Sequence, residues 1–266
     1  MRTTRAGMTT IKIAVIAILA GWVLAGIGIA DSKDNQQTAP PDWTGFYTLA
    51  RARDLAGTNL KPVAPDYDLD KLIVAHLQPW ARAKMQVTDG TADDTGAVCK
   101  ADGIFRFPPF AGRFLWLSAP GKIVMVFGEI NTAGVKRIYL NRDHRKNLLP
   151  TWNGDSVGHW EGDTLVVDTI GFNSKSWLMS GMEPHTEETR LSERIRRLTA
   201  GNSTFLEVVA VVEDRLALTS AYTFTRYYKK VDAEMPENIC NEDLSLWKGW
   251  RNGALKRQFD RAKEVK

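Results

Sequence analysis

Short runs of β-branched and aromatic residues dominate the chain from residue 114 onward. Such runs are typical of β-strands, and one more short strand is expected at 43–49. The later runs lie at 114–117, 123–127, 135–140, 157–160, 164–169, 191–198, 204–212 and 218–228.

Turn-forming residues separate these runs at short intervals. They are Pro120-Gly121, Ala133-Gly134, Glu161-Gly162-Asp163 and Ala200-Gly201-Asn202. Connections of hairpin length join antiparallel strands rather than βαβ units. The sequence therefore predicts a mainly β protein, an antiparallel meander that closes into a lipocalin-like barrel or forms a strongly curved sheet.

Two other segments have helical spacing. After Asp66, apolar residues and His76 recur at i, i+3 and i+4 positions, and Pro79 is expected to bend or end this N-proximal helix. On that stripe His76 is expected to be a buried histidine rather than a ligand. Residues 241–266 place apolar residues among seven cations, which predicts a C-terminal amphipathic helix. That helix either caps the sheet or contacts an anionic membrane or a partner.

Residues 1–30 have the layout of a secretory signal peptide. Arg2, Arg5 and Lys12 precede an apolar run that ends in small residues, with a cleavage site expected at Gly28-Ile29-Ala30. An uncleaved anchor is the alternative, because the apolar run approaches the length of a membrane span. Polar residues 31–41 form a linker, and 42–240 form the barrel-like domain. The expected location is periplasmic or secreted, or anchored in the inner membrane and facing the periplasm.

Removal of the predicted export segment also changes the net charge of the chain. The chain of 266 residues has 35 Lys and Arg against 31 Asp and Glu, and without residues 1–30 the basic residues fall to 32. A nearly neutral remainder gives no reason to expect a nucleic-acid partner. In an oxidising compartment, Cys99 and Cys240 can form a disulfide, and two buried free thiols are the alternative.

The densest combination of aromatic and titratable residues lies between Trp152 and Asn173. Its centre is a predicted hairpin at Trp160-Glu161-Gly162-Asp163, and Asp155 is expected to shape a turn. Aromatic walls with a few polar groups are typical of pockets for organic ligands. The predicted ligand-binding residues are Trp152, His159, Trp160, Phe172 and, from a later strand, Arg194.

The same run resembles a widespread family of exported bacterial β-rich proteins. The shared pattern is W-x-G-D-S-V-G-x-W-E-G-D-T-L-V-V-D-T-x-G-F-N, followed by Pro184-His185-Thr186, Glu193-Arg194 and Asn238-Ile239-Cys240. The similarity covers roughly 99–240. The chain departs from the pattern around Cys99 and after Trp177, where an acidic residue is common and Leu178-Met179 occurs instead. The resemblance implies export and a β fold, and it implies no reaction.

Three residues are candidates for acid/base catalysis. His185 follows Pro184 in a polar connection, where a histidine either exchanges protons or only bonds backbone. Glu193 alternates with Leu191 and Ile195, so it faces the core if they do, and it then needs a partner such as Arg137, Arg194 or Arg197. The pattern leaves the side of Asp168 open.

Two further histidines are expected to be ordinary surface groups. His144 lies in a charged turn and is expected to be solvated, although with Asp143 it could complete a site. His159, Glu161 and Asp163 could in principle hold a metal, but a tight hairpin favours a solvated turn. No metal is therefore predicted.

The chain lacks the H-E-x-x-H, C-x-x-C, P-loop and strand-bound G-x-G-x-x-G motifs. The sequence therefore favours an enzyme that needs no cofactor and acts on a small hydrophobic or aromatic molecule, with lyase, isomerase or hydratase chemistry. The alternative is a carrier that binds an apolar ligand without catalysis. Membrane contact through either terminal segment and the oligomeric state are left open.

Overall fold

The computed structural model describes residues 41–61, 73–89, 93, 95, 101, 103–105, 112–129, 132–178 and 182–235. The predicted signal segment, the C-terminal helix and both cysteines lie outside these ranges, as does nearly all of the linker. The predicted disulfide between Cys99 and Cys240 therefore stays a prediction.

Within the described ranges nine strands form a barrel, and most coincide with the runs of β-branched and aromatic residues. They are β1 Gly45–Leu49, β2 Arg113–Ala119, β3 Lys122–Glu129, β4 Thr132–Leu140, β5 Asp155–Glu161, β6 Thr164–Ile170, β7 Arg190–Ala200, β8 Ser203–Glu213 and β9 Tyr222–Val231. The last run begins later than predicted, since β9 starts at Tyr222.

The strands pair in chain order, and β1 also pairs with β9, which closes the sheet into a barrel. Every neighbouring pair is antiparallel except β4 and β5, which run parallel from Ile138 opposite Ser156 to Leu140 opposite Gly158. The predicted pure meander is therefore wrong at this point. Residues 141–154 must cross from one end of the barrel to the other, which a hairpin turn cannot do.

Alternation along the strands separates a buried inner face from an outer face. On β6, Leu165, Val167 and Thr169 are buried, and the register aligns them with Ile195, Glu193 and Leu191 on β7. The inner side chains form one apolar core that includes Phe114, Trp116, Met125, Val208, Ala210 and Phe224. The strands were predicted from their β-branched and aromatic residues, and this periodicity of two decides which of their side chains point inward.

Glycine explains the tight β5–β6 hairpin. Glu161 pairs with Thr164, so only Gly162 and Asp163 form the loop. Gly162 has φ +62°, a conformation that costs other residues free energy. The predicted turn at Ala133-Gly134 is wrong, because both residues pair with β3 inside β4.

Helices are minor elements of the described chain. They are α1 Ala52–Leu55 and α2 Pro79–Val87, and residues 73–76 are also helical. Pro79 is the first residue of α2, where its missing N–H leaves no bond unmade. His76 is only half-buried, whereas a buried histidine was expected. Its Nδ1 lies 2.8 Å from Ser220 Oγ, next to β9. A search of the described residues for an apolar helix of membrane-spanning length finds none.

Candidate functional site

His185 lies in the connection between β6 and β7 and is buried there. Its Nε2 is 3.0 Å from Ser176 Oγ, and its Nδ1 is 3.1 Å from the carbonyl oxygen of Thr186 and 3.0 Å from Thr189 Oγ1. A carbonyl oxygen only accepts hydrogen bonds, so Nδ1 carries the proton. The lone pair of Nε2 is thus left to accept the hydroxyl proton of Ser176.

Burial keeps this imidazole uncharged. Desolvation lowers the pKa of His185 to about 4, although the Thr186 carbonyl and the charge of Asp214 act in the opposite direction. At neutral pH the site therefore holds a neutral base with a serine hydroxyl on its basic nitrogen. A base in hydrogen-bond contact with a hydroxyl meets one geometric condition for proton transfer.

Asp214 holds the loop that carries His185. Its carboxylate accepts hydrogen bonds from the backbone N–H of Thr186 at 2.7 Å and from the hydroxyls of Thr186 and Thr189 at 3.0 and 2.8 Å. It also accepts hydrogen bonds from the backbone N–H groups of Leu216 and Ala217. Desolvation raises the pKa of Asp214, but these hydrogen bonds outweigh it and the pKa is lowered. The ionised carboxylate therefore ties this loop to the β8–β9 connection.

An aromatic wall covers one side of the imidazole. The ring of Phe105 lies 5.2 Å from that of His185 and 4.3 Å from that of Phe172, centroid to centroid. Phe172 is buried and was predicted from the sequence, whereas Phe105, Ser176, Thr189 and Asp214 were not. Phe105, Ser176, Thr189 and Asp214 lie in three separate connections between elements, so no regular spacing in the sequence links them.

Glu193 lies on the inner face of the barrel, as the alternation with Leu191 and Ile195 predicted. Its partner is none of the three arginines considered: Lys136 Nζ on β4 donates a hydrogen bond to Glu193 Oε2. The side chains of Lys136 and Glu193 are 0% and 1% exposed. A complete ion pair therefore lies inside the barrel.

Asp168 lies on the outer face instead. Its Oδ1 accepts a hydrogen bond from Arg190 Nε at 2.6 Å, and its Oδ2 lies 2.9 Å from His144 Nε2. Desolvation raises the pKa of Asp168, yet the contacts with Arg190 and His144 outweigh it and lower the pKa. Side chains alternate along β6, so Asp168 points outward while its neighbours Val167 and Thr169 point inward. The hypothesis that Asp168 works beside inward-facing catalytic groups is therefore not supported.

Asp155 and His144 extend this outer network. Asp155, 2% exposed, accepts hydrogen bonds from Arg142 Nη2 at 2.7 Å and Arg145 Nε at 3.1 Å, and its Oδ2 lies 3.1 Å from His144 Nδ1. His144 thus bridges two carboxylates rather than standing in solvent, and Asp143 is not its partner. Asp155 is the centre of an ionic network, whereas the sequence suggested only a turn.

The remaining predicted ligand residues do not share one place. Trp160 points inward at the barrel end opposite His185 and packs edge-on against Trp43, with centroids 4.8 Å apart. His159 and Arg194 are exposed and both contact Glu161, at 3.2 and 2.9 Å. Trp152 is half-buried in the connection leading into β5, at the His185 end. The predicted single aromatic pocket is therefore divided between two ends and an outer surface.

No metal centre is seen in the part of the chain that the structure describes, where no group of three or more metal-binding side chains comes together. His159 and Glu161 form only an exposed pair. No known family model matches this chain, and no curated protein matches it at a significant level, so the assignment of function depends on the site itself.

Proposed function

We propose that this protein is an exported bacterial envelope enzyme that acts without a cofactor on a small hydrophobic or aromatic molecule by acid/base chemistry. Its place is the periplasm or the exterior, or the outer side of the inner membrane if residues 1–30 remain attached. The reaction is of the lyase, isomerase or hydratase type. The observation that carries the proposal is the buried neutral His185 with Ser176 on its Nε2.

The proton path follows from these contacts. Ser176 passes its proton to Nε2 of His185 as it takes one from the substrate, and Nδ1–H stays bonded to the Thr186 carbonyl. The imidazolium formed is costly in a buried site, so it returns the proton promptly to another atom of the substrate or to a leaving group. Return to another carbon gives an isomerase, and loss of a leaving group gives a lyase.

Burial also supports the substrate class. The ring of Phe105 packs against the imidazole and that of Phe172 packs against Phe105, and such surroundings favour an apolar or aromatic molecule over a charged one. Asp168 has no part in this proposal, since its carboxylate is held by Arg190 and His144 on the outer face. Glu193 lies within the barrel on β7 and is the second group to test.

The test combines a substrate screen with matched histidine variants. Aromatic and terpenoid compounds are incubated with the purified protein, and conversion is followed by chromatography. His185→Gln is expected to lower kcat at least 100-fold, because general acid/base groups contribute about 10²–10⁴-fold. Ser176→Ala is expected to lower it as well, and Glu193→Gln is measured separately.

His159→Gln is the control, because His159 is an exposed histidine at the far end of the barrel. It should keep wild-type turnover. A folded His185→Gln variant with full turnover would remove His185 from the mechanism.

A second candidate function is that of a lipocalin-like carrier. A closed barrel with an apolar inner face favours it, since barrels of this size either fill with side chains or hold one small ligand. Native mass spectrometry of protein purified from its own envelope distinguishes the two. An unchanged co-purified ligand that the protein never converts supports the carrier, whereas conversion supports the enzyme.

A further inference from the structure

We infer that Lys136 forms an imine with an apolar aldehyde inside the barrel, with Glu193 as its proton acceptor and counter-ion. The inference goes beyond the acid/base function proposed for His185 and does not depend on it. It rests on Lys136 of β4, which that proposal does not use, paired with Glu193 of β7, and it concerns a different kind of bond.

The pair spans the interior rather than lying along the wall. Strands β5 and β6 separate β4 from β7 in the sheet, so Lys136 and Glu193 meet only because both side chains point inward. The register places Lys136 beside Met125, and Glu193 between Val167 and Ala210. All three of these neighbours belong to the apolar core.

Folding does not require such a pair. Removing two charges from water costs several kcal/mol per ion, and a buried ion pair is often no more stabilising than apolar side chains of similar volume. The inner side chains beside the pair are apolar. A paired lysine and glutamate in this setting therefore calls for a chemical explanation.

An imine meets the constraint of burial. A lysine amine attacks a carbonyl carbon only after it has lost its proton. Here Glu193 accepts the proton from the Lys136 ammonium through the hydrogen bond already present. After the imine forms, a protonated imine keeps the same positive charge opposite the same carboxylate.

The reaction balances without a further reagent. The amine nitrogen of Lys136 adds to the aldehyde carbon, and the resulting carbinolamine loses its oxygen as water. Glu193 returns the proton that completes this water. No electrons are transferred, and hydrolysis by one water restores Lys136 and the aldehyde. The ligand class is an apolar aldehyde with no charge of its own, because Glu193 already balances the single charge at the imine.

The experiment traps the imine with cinnamaldehyde and sodium cyanoborohydride, which reduces it to a stable secondary amine. The full chain is treated under native conditions, and the modified residue is located by peptide mass spectrometry. We expect Lys136 to be modified at least tenfold faster than exposed lysines such as Lys122. Glu193→Gln is expected to slow modification of Lys136 at least tenfold.

Two matched variants separate the site from general lysine chemistry. Lys136→Arg keeps a cation opposite Glu193 but has no primary amine to form an imine, so the fast modification should be lost. Lys122→Arg should retain it. Modification confined to surface lysines in the wild-type protein, with Lys136 unchanged, would overturn the inference, and this result requires no variant to fold.

Discussion

At the scale of single residues, burial decides the chemistry of His185. The sequence showed a histidine after a proline in a polar connection, and either catalysis or simple backbone bonding remained possible. In the structure the ring is buried, and the Thr186 carbonyl oxygen beside Nδ1 places the proton on that nitrogen. The hydroxyl of Ser176 lies within hydrogen-bond distance of Nε2. The pKa follows from this position, because desolvation disfavours the imidazolium.

The lowered pKa of His185 predicts a pH dependence of stability. Its pKa is about 4 in the fold against 6.5 for an ordinary histidine, so between these values the unfolded chain binds a proton that the folded one does not. The contribution of His185 is complete above pH 6.5 and is lost as the pH falls toward 4. By linkage, the free energy of unfolding should fall by about 2 kcal/mol between pH 7 and pH 5 on account of this residue.

Urea unfolding at both pH values measures this contribution. His185→Gln should remove that part of the pH dependence, whereas His159→Gln should retain it. The carboxylates of Asp155, Asp168 and Asp214, whose pKa values are lowered, lose their contribution only below about pH 4. Equal slopes in the wild-type protein and His185→Gln would show that His185 titrates normally.

At the scale of elements, the connection of residues 141–154 sets the topology. Runs of β-branched and aromatic residues identified β4 and β5, but such runs carry no information on strand direction, and a charged segment between two strands resembles a hairpin loop. The structure runs the strands parallel and pins the connection with Arg142, His144 and Arg145 on Asp155. These ionic contacts with Asp155 thus hold the connection in position, as a tight turn would in a hairpin.

Removing the charge of Asp155 should loosen this connection. Asp155→Asn is expected to lower the free energy of unfolding by about 2–3 kcal/mol, since hydrogen bonds to charged groups contribute about 1.5–3 kcal/mol each and the arginines stay partly hydrated. Urea unfolding measures the change. Asp143→Asn, at an exposed position of the same segment, should change stability by less than about 0.5 kcal/mol. Similar losses in the two variants would mean that the network is not what holds the connection.

At the scale of the whole molecule, barrel closure divides the predicted site. The sequence grouped Trp152, His159, Trp160 and Phe172 because they lie close together along the chain. Strands cross the barrel from end to end, so Trp160 and His185 lie at opposite ends, and the hairpin turns His159 to solvent. Closeness in sequence therefore did not translate into one pocket.

The two cysteines give a prediction for the whole chain. A bond between Cys99 and Cys240 would close a loop of about 140 residues and, in the chain-entropy model, stabilise the fold by about 4–5 kcal/mol. Protein from the envelope should show no free thiol until it is unfolded and reduced, and Cys99→Ser with Cys240→Ser should lower Tm. Two free thiols in the unfolded, unreduced chain would contradict the bond.

The sequence by itself determined most strands and hairpins, because these follow from β-branched and aromatic runs and from local turn chemistry, and it tied the side of Glu193 to that of Leu191 and Ile195. Only the tertiary structure decided the parallel β4–β5 pair, the Lys136 partner of Glu193, the outward side of Asp168 and the contacts of Ser176, Thr189 and Asp214 with the His185 loop. Each of these depends on which distant segments meet when the barrel closes. Local pattern cannot encode that, because it records how a strand alternates and not what lies across the interior.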